Sequence, residues 1–309
     1  MTAMVSMPPA TTERCRQLLQ RWRQDLRLTR REQGLLRGEL TLLDRQLQRL
    51  EHKVLRLAVF GRVGVGKSSL INALVGQRLL ETDVAHGSTR RQQAVTWPLK
   101  LDGLQRVELI DTPGIDEIDA AGRTRLATRV AMGVDLVLLV IDSDLTRCDR
   151  DALETLQASG KPVRLVLNRS DRWPEEQLPE LLDSIRSRLP SDLPLTAVAA
   201  APRQPRLDAD GRVRSSAAPA RVSPLKDQLV EQFQREGELL LALQSLRQAD
   251  RFQQERQHLR LRQHRRSAQG LIGRYAATKA TAVAVNPLMA LDLAGGLACD
   301  TGLVLQLCQ

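Results

Sequence analysis

The sequence predicts an α/β fold: a mostly parallel sheet with one antiparallel edge strand, helices on both faces, and helical segments flanking it at the N- and C-terminal sides. Three observations carry that expectation. Apolar runs at Val54–Phe60, Val107–Ile110, Leu136–Ile141, Val163–Leu167 and Leu195–Val198 have the length and branching of buried strands. Helical spacing falls between or beside them, at 67–75, 123–132, 149–159 and 175–189. Strand alternating with helix is the pattern of parallel pairing. The exception is Gln92–Leu101, which runs through Asp102-Gly103 into the next strand. That dipeptide is a hairpin signal, so one edge pair is antiparallel.

Composition narrows the function classes. Of 309 residues, 42% are apolar and 27% charged, which allows a sizeable core and excludes a many-span membrane protein. Aromatic residues are 2%, leaving few rings to stack on single-stranded nucleic acid. Cys15, Cys148, Cys299 and Cys308 lack CxxC spacing and read as reduced thiols in a cytosolic setting. The net charge of +10 lies mainly on residues 1–53 and 225–309. A general preference for Arg explains it as well as an anionic partner does.

The flanks are read as helices. Residues 1–12 lack the apolar core of a signal peptide. From Glu13 to Lys53, Cys15, Leu19, Trp22, Leu26, Leu36, Leu40, Leu43, Leu47 and Leu50 follow steps of three and four, interrupted near Gly34 and Gly38. That stripe fits a coiled coil or lever helix, or a helix packed on its own domain. Residues 201–224 are rich in Pro, Ser and Arg, with Asp210-Gly211 as a hairpin tip inside a loop or insertion. A second helix is expected from Leu225 to about Arg266, with Leu229, Phe233, Leu240, Leu243 and Leu246 near one face and a basic end. Between Ala280 and Cys299 the single charge is Asp292. The Ala and Gly content makes this span weakly hydrophobic, so a helical hairpin broken at Pro287, against protein or lipid, is expected there. The chain stops in the apolar run GLVLQLCQ, from which we expect the sequence to continue past Gln309.

Chemistry concentrates in four ordered motifs. Gly61-Arg-Val-Gly-Val-Gly-Lys-Ser68 fits G-x-x-x-x-G-K-[ST] after a strand and before a helix, the context this motif needs. Gly61, Gly64 and Gly66 let successive main-chain N–H groups converge on a triphosphate, and the helix N-terminus adds its positive end. Lys67 would reach the β- and γ-phosphates, Ser68 would ligate Mg²⁺, and Ser69 joins the same turn. Asp111-Thr-Pro-Gly114 sits at the tip of the neighbouring strand. Asp111 would hold Mg²⁺ there and Gly114 would approach a γ-phosphate. Between these motifs Thr89, with Ser88 as its competitor, is a candidate to close on the metal. Lys67, Thr89 and Gly114 are therefore the residues assigned to catalysis.

Asn168-Arg-Ser-Asp171 decides the base. Guanine presents adjacent N1–H and N2–H donors that one carboxylate accepts together, so Asp171 would discriminate against adenine, and Asn168 would tie base to loop. Thr196-Ala197, at the end of the last strand, is a fifth element whose main chain could meet the guanine oxygen.

The ordered set GRVGVGKS, Thr89, DTPG and NRSD resembles the Ras-like superfamily of P-loop GTPase domains, nearest the Era/TrmE-like bacterial branch, over roughly residues 54–236. The resemblance implies a G domain that binds GTP or GDP with Mg²⁺ and hydrolyses GTP. The tail from about Leu271, with NPLMALDLAGG, is similar to the tail domain of bacterial YcjF-like GTPases, for which membrane association is inferred. The expected division is a helical region over 1–53, the G domain over 54–236, and a basic helix with an apolar, membrane-associated tail over 237–309.

Three departures qualify the resemblance. Ile115 stands where Ras-like proteins place Gln, so water positioning must come from elsewhere and slow turnover is expected. Arg90 or Arg91 is a candidate internal charge. Gly64 replaces the Asn of potassium-stimulated relatives, which argues against potassium dependence. Arg169 replaces the usual Lys, and its stem would still cover the base.

The leading expectation is a nucleotide-dependent switch, cytoplasmic or at the inner membrane face, with anionic lipids as partner and pairing of its helical arms as a route to a homo-oligomer. The alternatives are an RNA or ribosome assembly GTPase, and a weakly hydrolysing oligomeric scaffold.

Overall fold

The structure is a computed structural model whose described residues are 9–81, 93–115, 120–207, 213–285, 300–301 and 303–304. These fall into two compact units. One comprises Met1–Arg27 and Gly38–Ala249, and the other Leu28–Arg37 and Asp250–Gln309.

In the larger unit six strands form one sheet. They are β1 (Val54–Gly61), β2 (Gln93–Trp97), β3 (Arg106–Asp111), β4 (Leu136–Ile141), β5 (Val163–Leu167) and β6 (Leu195–Ala197), in the order β2-β3-β1-β4-β5-β6. All neighbours are parallel except β2 and β3, whose antiparallel register pairs Val95 with Leu109. Gly103, at φ 80°, turns the chain between them, beside the bridge of Leu101 to Leu104. The sheet class and each expected strand are present.

Helices α4 (Lys67–Val75), α5 (Ala120–Gly133), α6 (Arg147–Ala158) and α7 (Gln177–Arg186) follow the strands as the apolar spacing predicts. On one face Phe60, Ile110, Leu139, Ile141 and Leu165 join Val130, Ala131, Leu153, Leu156 and Ile185 in a continuous buried cluster. Both faces are apolar because parallel strands are covered on both sides, and every residue of β4 is buried.

The N-terminal stripe is three helices: α1 (Pro9–Asp25), α2 (Arg30–Leu35) and α3 (Arg37–Glu51). The first break falls at 26–29, ahead of the interruption expected at Gly34 and Gly38. Its cause is a capping box. Thr29 Oγ1 accepts the Glu32 N–H at 3.2 Å, and the Glu32 carboxylate accepts the Thr29 N–H at 2.7 Å, so a new helix starts there. α3 packs on its own domain rather than forming a free arm: Leu43, Gln46, Arg49 and Leu50 are buried. Arg49 donates to Asp135 at 2.7 Å, and Asp135, with no exposed surface, also accepts the Arg56 N–H at 2.8 Å. Burial lowers the Arg49 pKa, and the Asp135 charge opposes that shift.

The last helix, α8 (Ser223–Val285), runs well past the expected end at Arg266. Its buried face also differs from the expected leucine stripe, because Leu243 and Leu246 are exposed while Gln244, Ser245 and Gln248 are buried. Polar partners explain the exchange. Lys161 Nζ donates to Gln244 Oε1 at 2.6 Å and Gln46 Nε2 to Ser245 Oγ at 3.2 Å. Nearer its start, Phe233 meets Trp97 edge-on at 6.5 Å.

In the smaller unit Glu32 is clasped by α8, with Arg260 Nε at 2.6 Å and Arg256 Nε at 3.6 Å. The Arg260 hydrogen bond, then the Thr29 N–H, lower the Glu32 pKa to about 2. No described helix is long and apolar enough to cross a membrane. The break expected at Pro287 and most of the apolar tail lie outside the described residues.

Candidate functional site

The site forms where β1, β3 and β5 end on the same edge of the sheet. β1 delivers the chain into Gly61–Ser68, and α4 begins at Lys67. Gly66 sits at φ 88°, a left-handed conformation, and a Cβ there would lie 2.5 Å from Asn168 Nδ2. Glycine is needed on both counts. Lys67, almost wholly buried, donates from Nζ to Gly61 O at 3.1 Å and to Arg62 O at 2.7 Å. The ammonium is thus held inside the loop that its own residues form.

Ser68 Oγ donates to Asp111 Oδ2 at 2.6 Å, so the motifs at the ends of β1 and β3 meet. A hydroxyl beside a carboxylate is the oxygen donor set a hard divalent cation takes. Among the described residues no group of three His, Cys, Asp or Glu could hold a metal. A cation here would draw its other ligands from phosphate and water, as Mg²⁺ does. Thr112 Oγ1 donates to Val59 O at 2.8 Å and fixes the turn after Asp111. A Cβ on Gly114 would run into the side chain and main chain of Val63, so the two loops touch. Ile115 has no exposed surface and belongs to the core cluster with Ala127, Val130 and Ala131. Its apolar nature therefore has a packing reason.

Asn168 joins three segments. Its Nδ2 donates to Val65 O at 2.8 Å, its Oδ1 accepts the Ala200 N–H at 3.1 Å, and its own N–H donates to Ile141 O at 2.8 Å. Arg169, at φ 59°, reverses the chain into a single 3₁₀ turn, Ser170–Arg172, that carries Asp171 half-buried. Ser69 lies half-buried in the first turn of α4. Thr196 and Ala197 lie within β6, where the Thr196 hydroxyl donates to Gln228 on α8 at 2.8 Å. The main-chain donor that reaches Asn168 comes instead from Ala200, three residues past the strand. Thr89, Ser88, Arg90 and Arg91 lie outside the described residues.

One cluster was not read from the sequence. Arg62 Nη2 donates to Asp142 Oδ1 at 3.1 Å and Arg62 Nε to Asp149 Oδ1 at 3.2 Å. Arg169 Nη1 donates to Asp142 Oδ2 at 3.0 Å. One carboxylate thus links an arginine of the Gly61–Ser68 loop to an arginine of the segment after β5. Burial first, then the nearby Arg172 charge, lowers the Arg169 pKa, and Asp142 opposes the shift. The signal available in the sequence is Thr146-x-x-Asp149, a capping box that buries Asp149 at the start of α6.

Residues 56–169 match the family model described as 50S ribosome-binding GTPase. Residues 247–309 match a second model, described only as a domain of unknown function, DUF697. GTPase Der of Rhizobium johnstonii is 43% identical over 121 residues, which cover 37% of this chain and 25% of that protein. GTPase Era of Synechocystis is 37% identical over 132 residues, 40% of each chain. The chain therefore spans a quarter to two fifths of the length of these relatives. Among solved structures, Aquifex aeolicus Era bound to GDP and AlF4⁻ aligns with TM-score 0.46 and 22% identity, over 58% of this chain and 56% of that one. Toc33 of Arabidopsis thaliana in complex with Mg²⁺ and GMPPNP aligns with TM-score 0.40 and 17% identity, over 65% and 91%.

Proposed function

We propose that the chain is a GTPase that binds GTP with Mg²⁺, hydrolyses it slowly, and acts as a nucleotide-dependent switch. The observation that carries this reading is the Asn168 junction, which ties the loop bearing Asp171 to the main chain of the phosphate loop. On this reading that tie brings Asp171, a carboxylate suited to guanine's paired donors, into one site with Lys67, Ser68 and Asp111. In that site the Lys67 ammonium and the Gly61–Ser68 amides hold the phosphates. Ser68 and Asp111 would hold Mg²⁺, with Thr89 as a further ligand, and the metal would offset phosphate charge. Gly114 would offer its N–H to the γ-phosphate. The Arg169 stem would cover the base, and the 198–200 loop, rather than Thr196-Ala197, is the segment we assign to the guanine oxygen. Slow turnover follows from Ile115, which is engaged in the core and supplies no polar group to orient water.

The test is a change of base preference. Asp171→Asn replaces an acceptor pair with one donor and one acceptor, which suits xanthine better than guanine. The expected result is a loss of GTP affinity of about 100-fold or more with XTP becoming the better ligand, and no nucleotide binding in Lys67→Ala. Equal GTP affinity in Asp171→Asn and the native protein would refute the assignment.

A second reading concerns what the switch acts on. The family matched over 56–169 is described by ribosome binding, and this favours a ribosomal partner over the lipid surface expected from the tail's composition and its likeness to YcjF-like tails. Co-sedimentation with ribosomes that weakens with salt is the expected result. Flotation with anionic vesicles at moderate salt, without ribosome association, would reverse the preference.

A further inference from the structure

Where β1 and β3 begin, at the opposite end of those strands from Gly61 and Asp111, the larger unit carries an open cleft of about 580 Å³. Along β1 the two ends are roughly 20 Å apart. One wall of the cleft is α3 with the residue that follows it. Arg45, Gln48, Arg49 and His52 fall at steps of three and four, so they share one face of the helix, and all four line the cleft. The other wall is the sheet, through Arg56 of β1 and Arg106 of β3. Among the described residues, neither a carboxylate nor an apolar side chain larger than Val54 contributes to the lining.

Two carboxylates stand behind the lining, and both are already engaged. Glu108, paired in register with Arg56, is shared: it accepts from Arg56 Nε at 2.7 Å and meets Arg106 Nη2 at 2.9 Å. Asp135 accepts from Arg49 Nη1 at 2.7 Å. Four guanidiniums, those of Arg45, Arg49, Arg56 and Arg106, are thus set against two carboxylates. Arg45 and His52 make no side-chain hydrogen bond or ion pair among the described residues. An excess of one sign in a concave site concentrates counter-ions there.

Size and layout say which anion fits. Guanidinium forks match phosphate oxygens in pairs. The uncompensated charge is divided between the walls, with Arg45 and His52 on α3, and with Arg56 and Arg106 holding one carboxylate between them on the sheet. One phosphoryl group for each wall answers that division. A lone phosphate ion would leave most of the volume to water, because clefts of about 300–1,000 Å³ suit small organic ligands. Arg49 is 8% exposed, so a ligand meets it only by entering the cleft. A polymer backbone or an acidic protein surface lying across the rim meets Arg45 and Arg106 alone. We propose that this cleft binds a compact ligand with two linked phosphoryl groups, either the free diphosphate ion or the diphosphate of a small organic molecule. Nothing in the cleft depends on the GTPase reading.

The experiment is calorimetric titration of inorganic diphosphate into the full chain saturated with GDP. One site per chain is expected, with orthophosphate bound at least about tenfold more weakly. Arg45→Gln/Arg106→Gln, which changes two exposed side chains, should lower diphosphate affinity by about tenfold or more. Arg186→Gln/Arg235→Gln removes two exposed arginines outside the lining and should stay within about twofold of the native chain. Lys67→Ala, titrated without nucleotide, should bind diphosphate as the native chain does. Loss of binding in Lys67→Ala would put the ion in the Gly61–Ser68 loop and overturn the site. So would the absence of binding to the GDP-loaded chain, an equal loss in both double variants, or RNA binding that needs Arg45 and Arg106 while diphosphate does not bind. ADP, titrated into the GDP-loaded chain, separates the two sources. Binding tighter than that of diphosphate assigns an organic ligand, and equal or weaker binding assigns the free ion. Failure of the native chain to bind GDP would refute the nucleotide reading and leave the Lys67→Ala titration as the test of the cleft.

Discussion

At the scale of single residues, Gly66 combines a positive φ with a neighbour where a side chain would sit. Gly66→Ala imposes roughly 1–2 kcal/mol of backbone strain and pushes against the Asn168 amide. The expected outcome is GTP affinity lowered by about tenfold or more, measured by titration calorimetry. Glu32 gives a prediction in pH. Its folded pKa of about 2 lies below the ordinary carboxylate value, so its contribution is fully present above about pH 5. As pH falls towards 2 the carboxylate protonates and the contribution is lost. Glu32→Gln should therefore flatten the acid limb of a stability–pH profile, and identical acid limbs in both proteins would refute the assignment. Gly66, Lys67, Ser68, Asp111 and Asn168, which the structure brings together, were legible in the sequence because each ordered motif fixes one residue type at one spacing. Arg62 and Asp142 were not. Their meeting depends on the order β1-β4-β5 in the sheet, and spacing along the chain carries no trace of it.

At the scale of elements, the strands and α4–α7 follow from apolar runs and helical spacing, whereas the flanking helices required knowledge of their partners. The break at 26–29 is a local device, the Thr29–Glu32 box, that a stripe of leucines conceals. The buried face of α8 contains Gln244 and Ser245 because Lys161 and Gln46 come from distant segments to meet them. α3 shows the same principle. Its polar residues Gln46 and Arg49 are inside because Asp135 receives them. Removing one member of a buried ion pair leaves the other charged and unsolvated, so Asp135→Ala should destabilise the domain by about 3–5 kcal/mol. Urea denaturation measures this, and a change under about 1 kcal/mol, the level of an exposed pair, would show that α3 is not anchored there.

At the scale of the whole molecule, the position of Ile115 has a consequence for how the site communicates. The residue directly after Gly114 is a plug in the interior, seated among Phe60, Ala127, Val130 and Ala131. Withdrawing such a side chain from its seat costs about 1.5–3 kcal/mol. On the proposed reading, an anion drawn to Gly114 would pull on that seat, and α5, which supplies Ala127, Val130 and Ala131 to it, is the helix where a conformational change should first be visible.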